Sequence, residues 1–244
     1  MPPPRAGRPV GVALVDKPAG PSSFALVAAL RRRTGARTGH TGTLDPFASG
    51  LLVLLSGAAT RLAPCFSGLD KRYVADVDLT ATTSTGDPEG EVLERHDPPG
   101  AGALAEALAA LRGEVALPVP AASAVKVGGE RAYRRARRGV AVEMPVRRSR
   151  VYELDVVAAT ATSVRLALHV SSGTYVRSIA DALGGHCTSL RRTAVGPFDV
   201  EEAEAVDGVE LLPVRSVLGR LPDDAVARVP ASVREGVLAV EAGR

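Results

Sequence analysis

Residues 39–50 read Gly39-His40-Thr41-Gly42-Thr43-Leu44-Asp45-Pro46-Phe47-Ala48-Ser49-Gly50 and set one carboxylate among glycines, small hydroxyl residues, a histidine and a proline. A carboxylate held on such a loop can attack as a nucleophile or assist departure of a leaving group. Gly39 and Gly42 let a ligand approach the backbone closely. Pro46 fixes its own φ and biases Asp45 toward an extended backbone, outside any helix. On its residues alone the stretch admits a plainer reading, a turn aspartate capping the next element. The apolar run Leu51–Leu55 follows at once and predicts a buried helix or strand that anchors the loop.

Other chemistries find no support. No Gly-x-x-x-x-Gly-Lys-Ser/Thr is present, which excludes a P-loop. His40, His96, His169 and His186 show no two-ligand spacing, so no metal site is expected. Cys65 and Cys187 lie far apart and read as buried free thiols of a reducing compartment. The eight aromatic residues (four Tyr, four Phe, no Trp) single out Tyr73 and Tyr175, each near a cation in Lys71-Arg72-Tyr73 and Tyr175-Val176-Arg177. An aromatic ring beside a cation suits stacking on a base next to a phosphate, although a half-buried strand tyrosine looks the same in sequence.

The net charge of +3 is unevenly spread. From Asp199 onward ten acids face five arginines, a net of −5, so residues 1–198 carry +8. Arg31, Arg32, Arg33 and Arg37 form one basic cluster, and Lys126 to Arg150 hold a second that includes Arg134 and Arg135. Two such clusters point to a polyanion partner. At 244 residues and 45% hydrophobic content the chain can bury a full core. It has no apolar run near the ~20 residues of a membrane helix, and no signal peptide. A cytoplasmic location without membrane association is the expectation.

The elements that must position these residues follow from pattern. Gly11–Val15 reads as a buried strand and Asp16–Pro21 as a turn, and Ser22 or Ser23 caps a helix to about Thr34. Lys71–Leu79 alternates as a strand, with Tyr73, Ala75, Val77 and Leu79 on one face. Thr80–Gly90 reads as loop, Ala101–Arg112 as a helix ended by Gly113, and Glu130–Arg138 as an arginine-rich helix. Val151–Val157 and Val164–Val170 are strands, and Ser178–Leu183 a helix. Strands and helices mix without βαβ alternation, which predicts an α+β fold.

Taken in order, these motifs resemble the tRNA pseudouridine synthases of the TruB type. Val15-Asp16-Lys17-Pro18-Ala19-Gly20 is similar to the family's Lys-Pro motif, and Gly39–Gly50 to its Gly-His-x-Gly-x-Leu-Asp-Pro-x-Ala-x-Gly signature. Asp70-Lys71-Arg72-Tyr73, Ser123-Ala124-Val125-Lys126, Ser172-Gly173-Thr174-Tyr175-Val176-Arg177 and Leu190-Arg191-Arg192 complete the set over residues 10–200. The resemblance implies the pseudouridine synthase fold, a mixed, largely antiparallel sheet flanked by helices and RNA-binding loops. It implies isomerisation of uridine to pseudouridine without a cofactor, at uridine 55 in the T-loop of tRNA; a monomer is the expectation. The target base is flipped out of its loop. The C1′–N1 bond is broken and C5 is joined to C1′.

By position, Asp45 carries the nucleophile role and Arg177 pairs with it. Tyr73 stacks on the uracil, His40 fills the space the base leaves, and Tyr175 and Leu190 line the pocket. Lys17 and Pro18 brace the loops. Arg134, Arg135, Arg191 and Arg192 are expected on the RNA backbone. Three features depart from the family pattern: Ala122 replaces an aromatic, Ser84 replaces the first Asp of Thr-Asp-Thr-x-Asp, and the stretch after Arg177 is several residues short. Residues 1–9 are expected to be a disordered basic arm. Residues 201–244 are expected to be a short helical appendage standing where many members carry a PUA domain, here missing or vestigial. The competing reading is a non-catalytic tRNA-binding or tRNA-folding protein on the same fold. The intact Asp45, Tyr73 and Arg177 favour the enzyme. An enzyme working within a guide-RNA particle fits less well, for want of large extensions.

Overall fold

The computed structural model describes residues 9–123, 126–127, 130–131 and 144–243. Strand β1 (Gly11–Lys17) leads through a turn into helix α1 (Ser23–Thr34). The Ser22 hydroxyl caps α1 by accepting from the Ala25 N–H at 3.2 Å. Gly35 ends it in the left-handed region, φ 64°, where a side chain would be strained. Then come β2 (Thr38–His40), β3 (Ser49–Ser56), α2 (Ala63–Ser67), β4 (Lys71–Asp78), β5 (Ala81–Thr83) and β6 (Val92–Arg95). Helix α3 (Ala101–Ala110) is followed by β7 (Gly113–Pro118), β8 (Lys126–Val127), β9 (Glu130–Arg131), β10 (Val146–Ala159) and β11 (Ser163–Val170). The chain closes with α4 (Val176–Ala182), β12 (His186–Val195), β13 (Phe198–Asp199), α5 (Val214–Leu218), α6 (Asp223–Ala227) and α7 (Ala231–Glu241). The α+β class with a largely antiparallel sheet is as expected.

The chain forms two compact units, residues 1–71 with 191–244, and residues 72–190. In the first, β3 is the central strand. It runs antiparallel to β1 along its whole length and to β2 at its C-terminal half. At its start it pairs in parallel with β12, Arg191 opposite Ser49 and Arg192 opposite Gly50. Neighbours on both sides and burial of seven of its eight residues explain the unbroken apolar run and settle it as a strand. Gly50 has φ 104°, and a Cβ there would stand 2.2 Å from the Arg192 carbonyl oxygen, so only glycine allows this approach.

The stretch expected as an appendage is helical, and it is built into the core of the first unit. Val214, Val217, Leu221, Ala225, Val229 and Val237 pack in one cluster with Val12, Leu14, Leu51, Val53, Leu55 and Phe66. Residues 204 and 212 also bridge to β1, at Val15 and Val12, and so cover its outer edge.

The second unit orders its strands as the first half of β12, then β4, β11, β10 and β7. Along β4 the predicted alternation holds: Ala75, Val77 and Leu79 are buried, while Arg72 is exposed. Three expectations are corrected. Thr80–Gly90 is not all loop, because Ala81–Thr83 pairs with β6. Strand β7 begins at Gly113, where only a helix end was read; its pairing with β10, Val115 opposite Ser149, supplies what its weak alternation did not. Glu130 and Arg131 are not helical but pair with Lys126 and Val127; the remainder of that expected helix, with Arg134 and Arg135, lies outside the described residues. The arm at residues 1–8 also lies outside them. Cys65 and Cys187 are both buried and form no disulfide. No helix among the described residues is long and apolar enough to cross a membrane.

Candidate active site

In the first unit, Asp45 sits partly buried on the loop between β2 and β3. The loop is held through its carbonyl groups. Lys17, fully buried at the end of β1, donates from Nζ to the carbonyls of Pro18 (2.9 Å), Pro46 (3.1 Å) and Ala48 (2.5 Å). The Ser23 hydroxyl donates to the Leu44 carbonyl and accepts from the Leu44 N–H, both at 2.8 Å. The Gly20 N–H donates to the Pro46 carbonyl beside Pro18, and the Ala48 N–H to that of Asp45 itself. A buried ammonium costs several kcal/mol unless its donors are satisfied, and three carbonyls satisfy Lys17.

Arg191 and Arg192, expected together on the RNA backbone, point to opposite sides of β12 as adjacent strand residues must. Arg191 is partly exposed and forms a bidentate pair with Asp16, at 2.8 and 3.1 Å. Arg192 corrects the expectation. It is 2% exposed, and its Nε donates to the Leu51 carbonyl at 2.7 Å, Nη2 to Gly42 at 3.0 Å and Nη1 to Thr43 at 3.4 Å. A guanidinium this buried, bound to three backbone carbonyls, is not presented to a phosphate at the surface.

Next to it, His40 has its Nδ1 buried with no hydrogen-bond partner among the described residues. Burial first, and the Arg192 charge second, push the His40 imidazole below its ordinary value, which keeps it neutral at pH 7. Burial, and again Arg192, bring the Lys71 ammonium down to about 8. That ammonium donates to the Ser67 and Leu69 carbonyls.

In the second unit, Tyr73 lies on β4 and Tyr175 immediately before α4, both partly buried, and Leu190 is buried on β12. Arg177, in the first turn of α4, is 2% exposed. Its Nη1 donates to the Thr85 carbonyl at 2.6 Å and its Nη2 to the Ala122 carbonyl at 3.1 Å. Its Nη1 also stands 3.3 Å from Oδ2 of the buried Asp87. Asp87 in turn accepts at Oδ1 from the Thr85 hydroxyl and the Glu89 N–H. In the sequence this Thr83–Asp87 segment stands out only for Ser84, with no part assigned to Asp87. The signal was present in the spacing, two threonines whose hydroxyls can fold a turn onto the acid that follows. Ser84 itself accepts from the Glu91 N–H and closes the β5–β6 hairpin. Beside Arg177, a cleft of about 290 Å³ is lined by Thr85, Gly86, Pro118, Ala121, Ser178 and Asp181, whose carboxyl is pushed up by burial.

Comparison with known proteins places the chain in a family. The model of the TruB family pseudouridylate synthases, N-terminal domain, matches residues 31–176. A tRNA pseudouridine synthase B of Corynebacterium jeikeium is 45% identical over 218 residues, covering 82% of this chain and 71% of the relative. One of Thermobifida fusca is 44% identical over 214 residues, covering 81% and 73%. Among solved structures, a Cbf5–Nop10–Gar1 complex matches with a TM-score of 0.61 at 28% identity, over 81% of this chain and 54% of that one. An H/ACA RNP bound to a substrate RNA containing 2′-deoxyuridine matches with a TM-score of 0.57 at 26% identity, over 78% and 48%. The chain thus spans about half the length of those solved chains. With 146 of its residues under the family model and relatives of this identity along most of its length, the chain belongs to the TruB family of pseudouridylate synthases.

Proposed function

We propose that this protein isomerises uridine to pseudouridine in tRNA, at the T-loop uridine in position 55, as a cofactor-free cytoplasmic monomer. The observation that carries the reading is the 45% identity over 218 residues to an enzyme named tRNA pseudouridine synthase B. The family match over residues 31–176 spans the Asp45 loop and Tyr73, which supports catalysis rather than RNA binding alone.

The roles belong to the same proposal. Asp45 is the nucleophile, Arg177 its counter-ion, and Tyr73 the stacking partner of the uracil. His40, Tyr175 and Leu190 shape the base site. The reaction is an isomerisation and balances without any co-reactant. The C1′–N1 bond breaks, the C1′–C5 bond forms, C5 gives up its proton, and N1 ends protonated. A neutral His40 suits a place vacated by an uncharged base, since a buried imidazolium would be costly there. The partly buried setting of Asp45 suits a nucleophile, because a carboxylate with less water around it is more reactive.

The test is pseudouridine formation in an unmodified tRNA transcript, read by position, for wild type and Asp45→Asn side by side. Product at the T-loop uridine with wild type alone, and tRNA binding within about twofold in both, is the expected result. Turnover by Asp45→Asn would remove the nucleophile assignment. Product at another uridine would remove the T-loop assignment.

A further inference from the structure

We infer that Arg192 is a positioning residue of the reaction, a buried cation that holds both flanks of the Asp45 loop, and not a contact to RNA. The inference rests on the proposed function for its kinetic part and on geometry for the rest.

Three facts converge on it. Asp45 lies between the two places where Arg192 attaches. Nη2 and Nη1 take the Gly42 and Thr43 carbonyls before the acid, and Nε takes the Leu51 carbonyl after it. The guanidinium is planar with donors fixed in a fork, so it sets the separation of those carbonyls as a flexible ammonium would not. The backbone of Arg192 adds a second constraint. It pairs with Gly50, and the absence of a side chain at Gly50 is what lets the two strands meet at that point. The third fact is the surroundings. His40 and Lys71 are the titratable neighbours that Arg192 influences, and it shifts both toward the neutral form. His40 is neutral, and the Lys71 ammonium donates elsewhere, to the Ser67 and Leu69 carbonyls, so the carbonyls of Gly42, Thr43 and Leu51 are left to Arg192.

Lys17 grips the loop farther on, at Pro46 and Ala48, and Ser23 grips it at Leu44. Arg192 is the one of the three that reaches the segment preceding Leu44. Without it, the carbonyls of Gly42 and Thr43 lose the charged donor they share. The loop then turns about the fixed Leu44, and the Asp45 carboxylate moves with it. Displacement of a reacting group by ~1 Å can cost about 100-fold in rate.

The experiment uses Arg192→Lys and Arg192→Met in the full chain, with Arg220→Gln, which breaks the partly exposed pair with Glu202, as the control. Single-turnover pseudouridine formation at saturating tRNA is expected to fall about 10–100-fold in Arg192→Met and less in Arg192→Lys. Kd for tRNA and the slope of log Kd against log salt should stay at their wild-type values. Amide exchange at residues 41–44 should quicken in both variants, while exchange in α1 stays unchanged. A weaker Kd with a salt slope smaller by roughly 0.7–0.9 would mean that Arg192 neutralises a phosphate, which overturns the inference. Wild-type turnover and exchange in both variants would overturn it too. Loss of cooperative unfolding in both would make Arg192 a residue of the core alone, with the same consequence. A wild type that forms no pseudouridine refutes the proposed function instead, and the exchange measurement still decides the loop.

Discussion

Arg177 and Asp87 form an ion pair with almost no solvent on either side chain, 2% and 5% exposed. Such a pair is weak evidence of net stabilisation, but removing one partner strands the other charge, at roughly 3–5 kcal/mol. Asp87→Asn keeps the shape and removes the charge. It should therefore lower unfolding stability by about 3 kcal/mol in a urea titration, with the m-value unchanged. An unchanged midpoint would show that the other partners of the guanidinium, the Thr85 and Ala122 carbonyls among them, are sufficient company for it. Residues of this kind mark where sequence reading stops. Asp45, Tyr73, Tyr175 and Arg177 stood out because their neighbours were unusual. Arg191 and Arg192 are chemically identical and adjacent. Only the orientation of β12, which no clear alternation announced, separates a surface arginine paired with Asp16 from one wholly inside.

At the scale of elements, Lys71 ties the end of α2 to the start of β4 through the Ser67 and Leu69 carbonyls. Its pKa is lowered from 10.5 to about 8, so the folded state binds its proton less tightly than the unfolded chain does. Between those two values the unfolded state holds more protons, and stability rises as pH increases. Fully expressed, the difference is about 3 kcal/mol at 1.36 kcal/mol per pKa unit. Wild type should thus gain stability against denaturant from pH 7.5 to 10 relative to Lys71→Met, in which this component is absent. Parallel pH curves for the two proteins would place the ammonium in water. Strand β4 was itself easy to read, because one face is buried and the other wet. The β3 run was ambiguous for the opposite reason: neighbours on both sides leave no polar face to reveal the period. Strands β5 and β7 were missed because short strands in Thr-, Gly- and Pro-rich sequence owe their form to a partner, and the partner is not local.

At the scale of the molecule, the first unit is assembled from chain segments more than a hundred residues apart. The C-terminal helices gave an acidic, Ala/Val-rich signal that read as helical. Their apolar residues are too evenly spread to show which face is covered, and so their place in the core was not legible. Val214, Val217, Leu221, Val229 and Val237 are each 7% exposed or less. At roughly 1.5–3 kcal/mol per buried aliphatic side chain they contribute on the order of 10 kcal/mol, similar to the whole stability of a typical domain. A chain ending at Pro213 should show no cooperative thermal transition for the first unit and should be cut rapidly by protease within β1 to β3. A stable, protease-resistant product would mean that the helices only lean on a core complete without them.

The bond between Arg192 and Leu51 joins residues 141 apart in the chain. A ribosome adding ~5–20 residues per second makes the Asp45 loop first and the arginine about 7–30 s later. Throughout that interval the nascent chain carries its acid on a loop with one flank untethered. On the proposed roles of Asp45 and Arg192, the reactive geometry is among the last features to be completed, and a polypeptide still being translated would be a poor enzyme toward the tRNAs that crowd the machine making it.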